Sequence, residues 1–198
     1  MGKTRLEAFS DGVVAIIITI MVLELKVPHG ADLASLRPVL PSFLTYVLSF
    51  IYIGIYWNGH HHMLYAAKHV NGRILWANLM LLFWLSLVPF VTAWMGENHF
   101  ESVPTAAYGC LMLMASFSFV FLQSSIVALE GPQSQLARAV GADRKGLVSR
   151  VMYALAVPLA FVRPWISGAI YVIVAVIWFI PDSRIERLVS KEGLAGTE

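Results

Sequence analysis

Charge is scarce in this chain. Lysine, arginine, aspartate and glutamate make up 13% of its 198 residues, about half the share of an ordinary soluble domain. So few charged side chains cannot coat a compact body of this size, which excludes a water-soluble globule. The net charge of +2 is too small to draw the chain to nucleic acid. Cysteine is nearly missing as well. Cys110 stands alone, so no intrachain disulfide forms, and the thiol is expected to pack inside its apolar stretch. A phosphate-cradling glycine loop, a nucleophile elbow and a metalloprotease helix are all lacking, so neither catalysis nor a cofactor is expected. No apolar segment carries a charge at its centre, where a proton-coupled carrier places a carboxylate or histidine and a voltage sensor a row of arginines. Inverted repeats of the kind found in transporters are not visible.

What the chain does have is apolar residues in long runs: 58% are hydrophobic and the mean hydropathy is +0.71. A membrane-spanning helix needs about 20 such residues. The runs predict six helices, over Phe9–Val27, Val39–Tyr65, Ile74–Met95, Pro104–Leu129, Gly146–Val162 and Trp165–Ile180. The last two are short, and Arg163-Pro164 joins them as a tight hairpin. Pro89 and Pro158 are expected to kink their helices, and the tryptophans near helix ends to anchor at the membrane interface. Lys3 and Arg5 before an apolar run imitate a secretory signal, but Asp11 interrupts the approach and no small-residue cleavage site follows, so a retained first helix is expected. No repeat and no linker divides the chain. Residues 1–181 therefore read as one all-α transmembrane domain and 182–198 as a polar cytoplasmic tail. With six spans both termini share one side. Eleven of the fourteen lysines and arginines then lie on that side, and only Lys26, Arg37 and Arg163 opposite. Positive residues favour the cytoplasm, so both termini are expected inside.

The first helix carries the most information. At about 100° per residue, Phe9, Gly12, Ile16, Ile20, Leu23 and Val27 fall on one stripe, with Thr19 on its flank. Ser10 and Asp11 point roughly the other way. A carboxylate at this depth is costly without a protein partner, so Asp11 should face helices of its own subunit. The Ile16 stripe then faces either lipid or the same stripe of neighbouring copies. Val13, Val14, Ile17 and Ile18 are equally apolar, so periodicity does not choose between these.

A second cluster, Trp57, Asn58, His60, His61 and His62, closes the second helix. Adjacent histidines point about 100° apart and cannot chelate one ion well, so no metal is expected. Asp11 and Arg5 lie at the same depth, and Asp11 is expected to be held by Trp57 and by His60 or His61.

Arg5-x-x-x-Phe9-Ser10-Asp11-Gly12 at the head of the first apolar helix resembles the signature of the lysosomal potassium-channel family called transmembrane protein 175. Trp57-x-x-His60-His61 and Pro89-Phe90-x-Thr92 add to the likeness, which covers essentially the whole chain. The resemblance implies a homotetrameric, potassium-preferring cation channel in a prokaryotic plasma membrane, with six helices per subunit and the first helices lining a central pore. It implies permeant potassium and other monovalent cations, no carbonyl-lined filter loop, and a constriction of apolar rings at Ile16, Ile20 and Leu23. Thr19 would add a ring of hydroxyls. Family members often carry leucine where this chain has Ile16 and Ile20. Two other readings compete: a proton-coupled small-solute or ion transporter using His60 to His62 as a relay, and a non-conducting scaffold whose first helix meets lipid.

Overall fold

In this computed structural model, which describes residues 2–140 and 143–179, the secondary structure is entirely helical among the described residues. The helices are α1 (Lys3–Leu23), α2 (Leu40–Ala66), α3 (Gly72–Ser86), α4 (Val88–Glu97), α5 (Ser102–Glu130), α6 (Gln135–Val140), α7 (Arg144–Leu159) and α8 (Pro164–Phe179), with a 3-10 helix at Leu33–Val39 before α2. The polar tail predicted from residue 182 lies outside the described residues.

Several boundaries differ from the sequence expectation, each for a local reason. α1 starts at Lys3 rather than Phe9 and stops at Leu23 rather than Val27. A helix can begin in the polar headgroup layer, which hydropathy does not register, and Leu25–Val27 lead into Pro28, which disfavours helical backbone before it. The third predicted helix is two pieces. Leu87 turns tightly, its N–H bonding Trp84 O at 3.3 Å, and Pro89 denies a donor to the carbonyl of Leu85. Pro158 does not bend a longer helix, because α7 ends one residue after it. The short α6 was not anticipated. Cys110 is exposed on α5 rather than packed.

α5 forms the central strut, touching α3, α4, α7 and α8, while α1 runs along α2, α3 and α4. Four segments are long and apolar enough to cross a membrane: Lys3–Leu23, Leu33–Ala66, the broken rod Gly72–Glu97, and Ser102–Glu130. Helices α7 and α8 have 16 residues each, about 24 Å of rise. Their hairpin is closed by Arg163 N–H to Leu159 O at 2.9 Å, and Ser167 Oγ donates to Ala156 O at 2.7 Å across it.

The interior is not purely apolar, and its polar groups find partners inside the chain, as hydrocarbon surroundings require. Ser49 Oγ lies 2.7 Å from Thr92 Oγ1 and 3.1 Å from Tyr108 Oη, tying α2, α4 and α5. Tyr52 Oη donates to Tyr171 O at 2.6 Å, and Tyr171 Oη donates to Thr105 O at 2.9 Å, tying α8 to α2 and α5. Thr105 Oγ1 is the exception, buried without a partner among the described residues.

Two glycines let these helices approach. A Cβ on Gly96 would sit 2.6 Å from both Ser42 Cα and Thr45 Oγ1, so α4 rests against the α2 backbone. A Cβ on Gly109 would sit 2.2 Å from Tyr171 Oη. Gly96→Ala should therefore force α4 off α2 and cost about 1–3 kcal/mol. Gly54→Ala, with open space around the added carbon, should be neutral or slightly stabilising. Thermal unfolding in detergent compares them, and equal midpoints would show that the α2–α4 contact tolerates the extra carbon.

Candidate functional site

The site is built where α1 meets α2, α3 and α4. One side of α1 buries Leu6, Ser10, Val14, Ile17 and Met21. Ser10 is the polar member of that face, and its burial is explained by a relay. Asn78 Nδ2 donates to Ser10 Oγ at 3.0 Å, and Ser10 Oγ donates to Leu6 O at 2.8 Å. On its other side Asn78 Oδ1 lies 2.7 Å from His60 Nε2. Because the amide nitrogen of Asn78 serves Ser10, its oxygen accepts, so His60 presents Nε2–H. The relay runs from α2 through α3 to α1, and all three side chains are buried.

This corrects one expectation. His60 turns inward to Asn78 and does not hold Asp11. Asp11 is met by Trp57 alone of the proposed partners, Trp57 Nε1 donating to Asp11 Oδ1 at 2.9 Å. His61 stacks on Trp57, with centroids 5.9 Å apart and planes at 27°, while His62 meets His61 edge-on at 5.6 Å. Both of these histidines and Asp11 are exposed on the isolated chain. Arg5 is exposed too and forms no ion pair with a described residue. Lys3 instead fastens the start of α1, donating to Tyr65 O at 3.0 Å and lying 3.8 Å from Glu7. Sequence reading missed Asn78. The available signal was a lone amide inside an apolar helix, which needs a buried partner.

The opposite side of α1 is only partly covered within the chain. Phe9 is 49% exposed, Ile16 58%, Ile20 41% and Leu23 80%. Val27, predicted on this stripe, lies beyond the end of the helix. Thr19 is exposed, and its hydroxyl donates to the carbonyls of Ile16 and Ala15 at 2.9 and 3.1 Å, which leaves its oxygen lone pairs facing outward as acceptors. Beside the stripe, Ile16 and Ile20 form a groove of about 440 Å³ with Ser86, Pro89 and Phe90, and Glu24 closes one end. The groove lies where α3 ends at Ser86 and α4 begins at Val88.

The family model for the endosomal/lysosomal potassium channel TMEM175 matches residues 5–89, which carry the whole of this site up to the α4 proline. A potassium channel of Chryseobacterium sp. (strain P1-3) is 54% identical over 187 residues, spanning 94% of this chain and 97% of that protein. The chain belongs to the TMEM175 family. A potassium channel of Streptomyces collinus is 32% identical, spanning 80% of this chain and 82% of that one. The crystal structure of a lysosomal potassium-selective channel TMEM175 homologue from Chamaesiphon minutus matches with a TM-score of 0.77 at 27% identity, covering 90% of this chain and 96% of that one. As a TMEM175 member this is a multi-pass membrane protein. The outward-facing Phe83, Phe117, Val151 and Val172 supply the apolar surface that lipid requires.

The relay predicts a ranking of stabilities. Asn78→Ala strands the Nε2–H of His60 in the interior and removes the donor to Ser10, costing about 1–3 kcal/mol. Trp57→Phe removes one hydrogen bond at an exposed site and should cost less than about 1 kcal/mol. Chemical denaturation of the detergent-solubilised protein measures both, and an equal loss would deny the relay its place as the stronger tie.

Proposed function

We infer that this protein is a potassium-preferring cation channel, assembled as a homotetramer with α1 of each subunit around a central pore. The observation that carries the reading is the two-sidedness of α1. Its polar residue Ser10 is fastened inward, while Ile16, Ile20 and Leu23 stand exposed on the other side. The potassium channels among its relatives supply the permeant ion. Six membrane crossings are the reading for each subunit, with α3 and α4 together making one crossing and the short α7 and α8 the last two. The distribution of lysine and arginine supports cytoplasmic termini in a plasma membrane.

The mechanism follows from what such a pore can offer. Rings of Ile16, Ile20 and Leu23 hold no ligand that could replace water around an ion, so they act by width and by dewetting, closing the pore when it narrows. Thr19 lies between two of these rings and turns acceptor lone pairs toward the axis, where they can take the place of part of a hydration shell. Selectivity from this arrangement should be modest. Trp57, with His61 stacked on its ring, holds Asp11 on the flank of α1, away from the axis.

Potassium flux into liposomes tests the reading, with Ile16→Asn, Ile20→Asn and Leu23→Asn beside the wild type. A polar side chain in a dewetting ring should raise flux several-fold or reduce the preference for potassium over sodium. Flux unchanged in all three variants would remove these residues from the pore, and a silent wild type with an intact oligomer would end the channel reading.

A further inference from the structure

α1 ends in a charge that the apolar-ring reading leaves unused. Glu24 is the residue immediately after Leu23, and its N–H still bonds Ile20 O at 3.2 Å, so it is fixed to the last turn of the helix. Its side chain is exposed, and it lines the same groove as Ile16, Ile20 and Phe90. The nearest basic residue on this segment, Lys26, does not neutralise it. Lys26 Nζ is taken by Glu97 Oε1 at 2.7 Å, at the end of α4. Glu24 forms no ion pair among the described residues. Glu24 sits at the C-terminal end of α1, where the helix dipole adds further negative potential.

We propose that Glu24 is a conductance-determining residue, a carboxylate at the outer end of each pore-lining helix that concentrates monovalent cations before they reach the Leu23 ring. The inference rests on the tetrameric channel reading. Four copies of Glu24 then surround one mouth, beside a wall of low dielectric that focuses their field into the water at the opening. Lys26 is paired with Glu97, whose charge balances it, so the carboxylate of Glu24 is left over at this end of the helix. Because the effect is one of local concentration, it operates where bulk ions are dilute and disappears where they screen the ring. The Debye length shrinks from about 30 Å at 0.01 M salt to about 3 Å at 1 M.

Single-channel recording in planar bilayers, with wild type, Glu24→Gln and Glu24→Lys in symmetric potassium chloride, tests this. In dilute salt, near 20 mM, Glu24→Gln should lower unitary conductance by about threefold. At 1 M the difference should fall below about one fifth, with the potassium-to-sodium permeability ratio unchanged at both. Glu24→Lys should reduce current carried by ions entering from its own side more than current in the other direction, producing rectification. A conducting wild type with Glu24→Gln unaltered in dilute salt overturns this inference and leaves the channel reading intact. An equal fractional loss at both salt concentrations also overturns it, since a merely structural residue would act that way. A wild type that forms its oligomer but passes no potassium overturns the channel reading and this inference together.

Discussion

The rotation of α1 about its own axis is set by the Ser10–Asn78–His60 relay, and the arrangement of everything around that helix depends on it. An apolar helix in an apolar solvent has little reason to prefer one face over another. Val13, Val14, Ile17 and Ile18 are as greasy as Ile16 and Ile20, so packing alone would leave several orientations near in energy. A buried hydroxyl with a donor aimed at it removes that freedom. Ser10 Oγ sits 3.0 Å from Asn78 Nδ2, and any rotation that exposes another face would strip that buried amide donor, whose oxygen already serves His60, of its acceptor at a cost of about 1–3 kcal/mol. Once Ser10 points to α3, the positions six, ten and thirteen residues further on, Ile16, Ile20 and Leu23, point away from the chain.

The flank interactions refine the same orientation. Trp57 takes Asp11 on the α2 side, and Lys3 ties the first turn to the end of α2 through the carbonyl of Tyr65. On the other side of α1 there is the groove against Ser86, Pro89 and Phe90, at the junction of α3 and α4. One flank of α1 is therefore held by polar contacts and the other is loosely covered by apolar ones. The hydroxyl ties among Ser49, Thr92 and Tyr108, and the tyrosine cluster behind them, lie further back and fix the frame against which α1 rests.

Much of this was legible in the residues because hydrocarbon imposes simple rules. Long apolar runs and the prolines between them locate the helices to within a few positions, and the arginine-to-aspartate motif at the head of the first run identifies the family. The meeting of Trp57 with Asp11 follows from their common depth. Other features were hidden for identifiable reasons. The start of α1 at Lys3 precedes the apolar run, and hydropathy is silent on a helical turn built of polar residues. The partner of His60 was misjudged because depth gives a residue's height in the membrane and not its azimuth, and His60 faces α3 while His61 faces Trp57. Asn78 carried no motif, only the cost of an amide in an apolar helix, which says that a partner exists without saying where.

The division of α1 into faces also explains how one short helix can carry several demands without conflict. Stability resides at Ser10, on the buried side, where substitution would be felt by the fold. The apolar stripe carries no such load within the chain, so its side chains are free to differ among relatives in branching and width. The charged ends lie outside the apolar stretch altogether, Arg5 before it and Glu24 after it. The stripe and the charged ends meet different neighbours from Ser10, the groove beside Ile16 and Ile20 in one case and exposed surface at Arg5 and Glu24 in the other, so a change there leaves the relay in place. The relay at Ser10 is therefore the contact that has to stay for the stripe and the charged ends to keep their aim.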